Sequence, residues 1–390
     1  MEIENPKHNV KKEYIEYLSE IQKAAKDYLK RRPPHKMIGY HLNQNRLDYL
    51  EEVLHAIGDI RVVNNVGDPY LPNGYFQQHT LQQEQKLVLE LLSNWGGSKQ
   101  NSWGYITTGG TEGNEAGLTA GIQKLAHGNP IVLFSDQAHY SVEKICKNAN
   151  CPYLVVPSQD NGEFNYNLLG EILSSIKGTV VLLATLGTTM KGASDQLEVL
   201  HLKLQQASIT RNDYYIHLDA ALAGGYWVHD NKAPRYKIGQ DFDSISISGH
   251  KWYGGFVAGF FGIHNESMGH GRHIEYITSI DRAISGSRNG MIPPLWLARL
   301  YQLDWQQEYQ RCQKLVEYAL EKFQAIGVDA KVNPHSLMIY FPKPKVEVCE
   351  MFQLPVDKEI KTKKFYSHII ILPHVTRETL EEFICAENWE

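Results

Sequence analysis

The sequence predicts an α/β protein: a large domain around a mainly parallel central sheet, with a small α+β domain at the C-terminal end. Two observations carry this. From about residue 104 to 263, short apolar runs alternate with stretches of helical spacing, as successive βαβ units require. After residue 290 that rhythm stops, and a long helical stretch leads to two strand-like runs and a closing helix. The expected division is an N-terminal helical segment (1–63), a large domain (64–295) and a small domain (296–390).

Taken in order, KEYIEYLSEIQKAAKDYLK (12–30) spaces its apolar residues as an amphipathic helix does, and RRPPHK (31–36) breaks it. NNVGDPYLPNGY (64–75) reads as loop, and TLQQEQKLVLELLSNW (80–95) as helix. Strands are expected at 130–134, 152–157, 179–185, 214–219, 242–248 and 259–263, with helices at 111–126, 139–149, 166–176 and 196–207. The stretch 293–327 reads as one long helix, straight or kinked. SLMIYFP (336–342) and SHIIILP (367–373) read as strands and TRETLEEFICAE (376–387) as the closing helix.

Composition narrows the function classes. A net charge of −5 argues against a nucleic-acid surface. No apolar run approaches the roughly 20 residues of a membrane span, and MEIENPKHNVKKEY has no signal-like apolar core, so no membrane partner is expected. Five cysteines without close pairs suggest reduced thiols and a cytoplasmic protein. Cys146 and Cys151 lack the second pair a zinc site needs, and no metal is expected. HGRH (270–273) reads as loop rather than metal site. Residues 296, 301 and 305 share a helix face and read as core.

Ligands of parallel sheets bind beyond the carboxyl ends of the strands. Four features fall there. In ITTGGTEGNEAG (106–117), Gly109 and Gly110 precede Thr111, a candidate N-cap, so backbone amides and a helix N-terminus could receive a phosphate. Neither a Walker A loop nor a dinucleotide fingerprint is present. In SDQAHYSVEK (135–144), His139 follows a strand. In HLDAALAGG (217–225), Asp219 ends a strand, and the small residues Ala221 and Ala223 leave room for something flat. In SGHKWYGG (248–255), Lys251 stands just past a strand, with Ser248 and His250 able to bond an anion. Ser248 and Lys251 also match S-x-x-K, but the S-D-N and K-T-G strings of serine β-lactamases are missing.

A phosphate cradle, a flat slot, a carboxylate and an amine are what pyridoxal 5'-phosphate (PLP) requires. Its enzymes hold it on a lysine and place an acid at the ring nitrogen. The carboxylate keeps that nitrogen protonated by opposite charge.

These residues, with WGYITTGGTEGN (103–114), HYSVEK (139–144), GTTMKGASD (187–195), SISGHK (246–251) and SGSRNG (285–290), resemble the group II PLP-dependent amino-acid decarboxylases, from about residue 36 onward. Within that group the chain is most similar to the short bacterial histidine decarboxylases and the plant serine decarboxylases. The resemblance implies an aspartate-aminotransferase-like (fold type I) large domain and a homodimer. It implies that Lys251 carries PLP, Asp219 meets the ring nitrogen, and His139 stacks on the ring and takes part in catalysis. Ala221 would line the other face, Gly110, Thr111, Ser248 and His250 would hold the phosphate, and Thr189 would lie in the cofactor region. The implied reaction releases CO2 from an L-amino acid, with L-histidine favoured, and L-serine or another amino acid such as L-aspartate the alternatives. NNVGDPY (64–70) is nearer the serine enzymes' pattern. His41 stands where relatives usually carry Pro, and Met291 where they often carry His. The group that protonates Cα is left open between Tyr253 and Tyr276.

Overall fold

The computed structural model describes residues 12–45, 49–56, 63–71, 78–269, 271–359 and 362–389. The chain's first eleven residues, 72–75 of the expected loop and His270 of the HGRH stretch lie outside the described residues.

Seven strands form the central sheet: β1 (Ser102–Thr107), β2 (Ile131–Ser135), β3 (Tyr153–Val156), β4 (Val180–Thr185), β5 (Tyr214–Asp219), β6 (Ser244–Ser248) and β7 (Gly259–His264). Their order is β1-β7-β6-β5-β4-β2-β3. β7 runs antiparallel to both its neighbours, and the remaining pairs are parallel. Every residue of β4 and β5 is buried, and β4 is an almost unbroken apolar run, VVLLAT, as a strand covered on both faces must be. β1 is absent from the strands read in the sequence because Gly104 interrupts its apolar run. A Cβ there would come 2.4 Å from the carbonyl oxygen of Phe261 on β7, so the close pairing itself requires the glycine.

The helices of this part are α1 (Lys12–Arg31), α2 (Tyr49–Ala56), α3 (Leu81–Ser93), α4 (Gly110–Lys124), α5 (Ser141–Asn148), α6 (Tyr166–Ser175) and α7 (Leu197–Gln206). α4 lies across β5, β6 and β7, and α3 packs on β1. The expected loop at 64–75 is partly strand: Asn64–Val66 pairs antiparallel with Ser287–Asn289. Buried Glu84 of α3 ties this ribbon down. It accepts from Arg288 Nε (3.0 Å), Asn65 Nδ2 (2.7 Å) and the Ile106 amide (3.0 Å). Asp68 is held likewise by Trp103 Nε1 at 2.9 Å and by Arg282. The SGSRNG and GD motifs are thus structural ties. Arg272–Ile274 pairs with Ser279–Asp281, so Arg272 and His273 open a hairpin rather than lie in an irregular loop.

The long helical stretch resolves into α8 (Ile292–Gln302) and α9 (Trp305–Ala325). The break is capped by Asp304, whose side chain accepts from the Gln307 amide. Trp296 and Trp305 are core, but Tyr301 is 57% exposed and its hydroxyl donates to Glu90, a difference the shared spacing did not reveal. A second, antiparallel sheet follows: β8 (Lys331–Val332), β9 (Met338–Pro342), β10 (Val356–Lys358) and β11 (Phe365–Ile370), in the order β8-β9-β11-β10. With it go α10 (Val346–Phe352) and α11 (Arg377–Phe383).

Residues 37–45 strap the two sheets together. Ile370 of β11 donates its amide to the Ile38 carbonyl, while Asn43 donates its amide to the Lys251 carbonyl (3.1 Å) and its Nδ2 to the Trp252 carbonyl (2.7 Å). No described helix is long and apolar enough to cross a membrane.

Candidate active site

β4, β5 and β6 end at Thr185, Asp219 and Ser248 along one edge, with Thr185 beside Asp219 and Asp219 beside Ser246. Lys251 follows at once, in a single helical turn, Gly249–Trp252. The N-terminus of α4 and the loop before α5 complete a cavity of about 340 Å³. Lys251, His139, Asp219, Ala221, Gly110, Thr111, Thr189, Ser248 and His250 all line it, although they come from five separate stretches of chain.

Thr111 is not the N-cap. The helix starts at Gly110, with Gly109 in the cap position and no side-chain cap. Glu112 reaches back with its carboxylate to the Thr108 amide and hydroxyl, both at 2.8 Å, and the cap falls two residues earlier, at Gly109. Thr111 therefore lies in the first turn. The leading amides of α4 stay free of side-chain capping, and the first turn borders the cavity.

These residues fit PLP. A Cβ on Gly109 would stand in open space, and one on Gly110 would come 2.7 Å from Ser248 Oγ, so the glycines leave the amides and that hydroxyl clear. The methyl of Ala221 and the ring of His139 border the same space. His139 Nδ1 is 2.8 Å from Ser141 Oγ and 3.4 Å from the Ser141 amide. Two such donors make Nδ1 the acceptor and leave Nε2 to carry the proton.

Burial lowers the Lys251 amine's pKa below its ordinary value, and the Asp219 carboxylate partly opposes this. A less protonated amine is the better nucleophile. Burial also lowers His250, aided by Lys251, while its Nδ1–H bond to the Ala258 carbonyl (3.2 Å) opposes the shift. His139 is lowered by burial, with Asp219 opposing and Lys251 reinforcing.

Two groups missed in the sequence support Asp219. Asn114 Nδ2 donates to its Oδ2 at 2.8 Å, and His217 lies behind Asn114. Spacing could have found both, since Asn114 is one helical turn past Gly110 and His217 is two residues before Asp219 on one strand face. His41 had no such signal; its Nε2 donates to the Thr189 carbonyl at 3.0 Å. Neither tyrosine considered for proton transfer lines the cavity. Tyr253 is buried against Trp296 and Trp305, and Tyr276 is 73% exposed.

A lysine of lowered basicity, a buried carboxylate and an open helix N-terminus on one cavity define a fold type I PLP-dependent enzyme. Residues 118–264 match the pyridoxal-dependent decarboxylase conserved domain. The chain is 34% identical to the histidine decarboxylase of Acinetobacter baumannii (strain AYE) over 285 residues, 70% of this chain and 71% of that one. It is 31% identical to the histidine decarboxylase of Vibrio anguillarum over 319 residues, 80% of each. Its fold matches L-methionine decarboxylase from Streptomyces sp.590 with a TM-score of 0.85 at 20% identity, covering 98% and 97% of the two chains. The chain belongs to the pyridoxal-dependent decarboxylase family and is a PLP-dependent carboxy-lyase acting on an amino acid.

Proposed function

We propose that the substrate is L-histidine and the product histamine. The observation that carries this is the 34% identity to histidine decarboxylases over 70% of the chain, which includes Lys251, Asp219 and His139. Among the described residues lining the cavity, Lys251 is the sole lysine or arginine, so an acidic substrate side chain would find no other cation there. That weighs against aspartate.

In this reading Lys251 Nζ would hold the cofactor covalently, and the Asp219 carboxylate would face the ring nitrogen. Ala221 and the His139 ring confine the ring plane. Gly110, Thr111, Ser248 and His250 bind the phosphate, with Thr189 beside the cofactor. The bound cofactor supplies an electron sink for the pair left on Cα when CO2 departs. The protein's own contribution is orientation, holding the scissile bond perpendicular to that sink, together with electrostatic support from fixed groups. Lys251 Nζ, an amine of lowered basicity on the cavity wall, would carry a proton at that atom.

We also read the chain as a cytoplasmic homodimer of three parts (1–63, 64–295 and 296–390). Supporting the dimer, every described side chain of α1 is exposed, including Tyr14, Ile15, Leu18, Ile21 and Leu29, an apolar face without cover in one chain. Supporting the division, the two sheets fall on either side of 295/296, although that boundary cuts α8.

The test is a screen of the purified PLP-loaded protein against the twenty amino acids, reading CO2 and amine. Histamine from L-histidine is the expected result. Ethanolamine from L-serine, the reading NNVGDPY favours, would replace it. Light scattering should give twice the chain mass.

A further inference from the structure

Behind Asp219 runs a buried polar chain. Asn114 Nδ2 donates to Asp219 Oδ2 at 2.8 Å. Asn114 Oδ1 faces His217 Nε2 at 3.0 Å and the Ser246 hydroxyl. His217 Nδ1 is 2.8 Å from Ser244 Oγ. None of Asp219, Asn114, His217, Ser244 and Ser246 is more than 3% exposed.

The orientation of each group follows. An asparagine side chain has one accepting end and one donating end. The Asp219 carboxylate oxygen accepts, so the NH2 end faces it, and the oxygen end is left to His217 and Ser246, which both donate to it. His217 Nε2 then carries the ring proton, and Nδ1 accepts from Ser244. Burial keeps this ring neutral, lowering its pKa to about 4. An NH2 donor favours the ionised carboxylate, because the proton of a neutral acid would meet N–H hydrogens. α4 is shaped for the approach. A Cβ on Gly117 would come 2.1 Å from His217 Nδ1, and one on Gly113 2.7 Å from Ser246 Cβ.

We propose that Asn114 and His217 are positioning residues, aiming the Asp219 carboxylate without adding charge of their own. The cation that Asp219 meets across the cavity is then the bound ring's. A protonated imidazole in this chain would compete for the same carboxylate, and a neutral one does not. The proposal rests on the assignment of Asp219 to the ring nitrogen made above.

The test compares purified Asn114→Leu, His217→Leu, His217→Gln and His217→Asn with the wild-type enzyme. The readouts are PLP dissociation constant, the visible band of bound PLP, and kcat and KM separately. Loss of a charge-assisted bond predicts PLP affinity about 10- to 100-fold weaker in Asn114→Leu. Its visible band should shift, and kcat should fall with KM little changed, since substrate contacts are untouched. His217→Leu should move in the same direction. His217→Gln should recover most of the loss, because its amide reaches the place of Nε2, and His217→Asn, which reaches only that of Nδ1, should not. If His217→Leu does not fold by circular dichroism, the Gln–Asn difference decides. Wild-type affinity and spectrum in Asn114→Leu, or equal behaviour of Gln and Asn, would overturn the proposal. A wild-type chain that bound no PLP would instead remove the reading of the site beneath it.

Discussion

At the floor of the cavity, Asp219, Asn114, His217 and Ser246 are almost wholly buried, and each is hydrogen-bonded to another. At its mouth, Tyr140 and Val257 are 84% and 67% exposed, and they come from loops. The floor is made of strand ends and a helix face, whose backbone is set by ladders of hydrogen bonds. Buried polar groups there are costly to leave unpaired, so in this chain of four each fixes the next. The mouth is under no such constraint. Chemistry common to a family belongs on the first kind of surface, and substrate choice can drift on the second.

The largest effect that would break this contrast is at Lys251. Lys251→Ala should lower turnover at least about a thousandfold and leave no cofactor attached after borohydride reduction, read by mass spectrometry. Full activity would sink the whole reading of the floor.

Next in size is Gly117→Ala. The added methyl collides with His217, a ring with no room to move, so stability should fall by about 1–3 kcal/mol in urea unfolding. An unchanged midpoint would mean the floor is looser than its packing indicates.

Acid should act on buried parts rather than on the mouth. His217, His229, His368 and His374 are all lowered to about 4 by burial. Unfolded histidine titrates near about 6.5. Between these values the unfolded chain binds the extra protons, so stability is full above about pH 6.5 and is lost as pH falls towards 4. Asp195 opposes this, since burial raises its carboxyl to about 7 and the folded form holds its proton through the same window. Four histidines outweigh one aspartate, so the melting temperature should drop with falling pH, and His217→Gln should make that drop shallower.

Smallest is the mouth. Tyr140→Ala and Val257→Ala should change KM by about two- to tenfold while leaving PLP affinity and the melting temperature near wild type, as exposed substitutions do. A loss of cofactor binding in either would erase the distinction between the two surfaces.

Much of the floor was legible in the sequence because its residues sit at element ends, where a local pattern marks them: Asp219 and Ser248 close strands, and Gly110 opens a helix. The β1 strand was not, because Gly104 serves a neighbour about 160 residues away and breaks the local apolar pattern. Nor was the cap at α4, where Glu112 reaches backward and displaces Thr111 from the role its type suggests. Asn43 carries no local sign at all, and His41 shows only as a departure from its relatives' pattern, since their partners at Trp252 and Thr189 are joined to them by folding alone.

By itself the sequence determined the alternation of elements, the family, and the residue types proposed to hold the cofactor, because backbone periodicity and side-chain chemistry are local properties. Tertiary structure alone decided that five separated stretches close one cavity, that Asn114 turns its NH2 rather than its oxygen to Asp219, and that the imidazole behind it stays neutral. Those outcomes depend on which buried donor meets which acceptor, and that is settled only when the chain has packed.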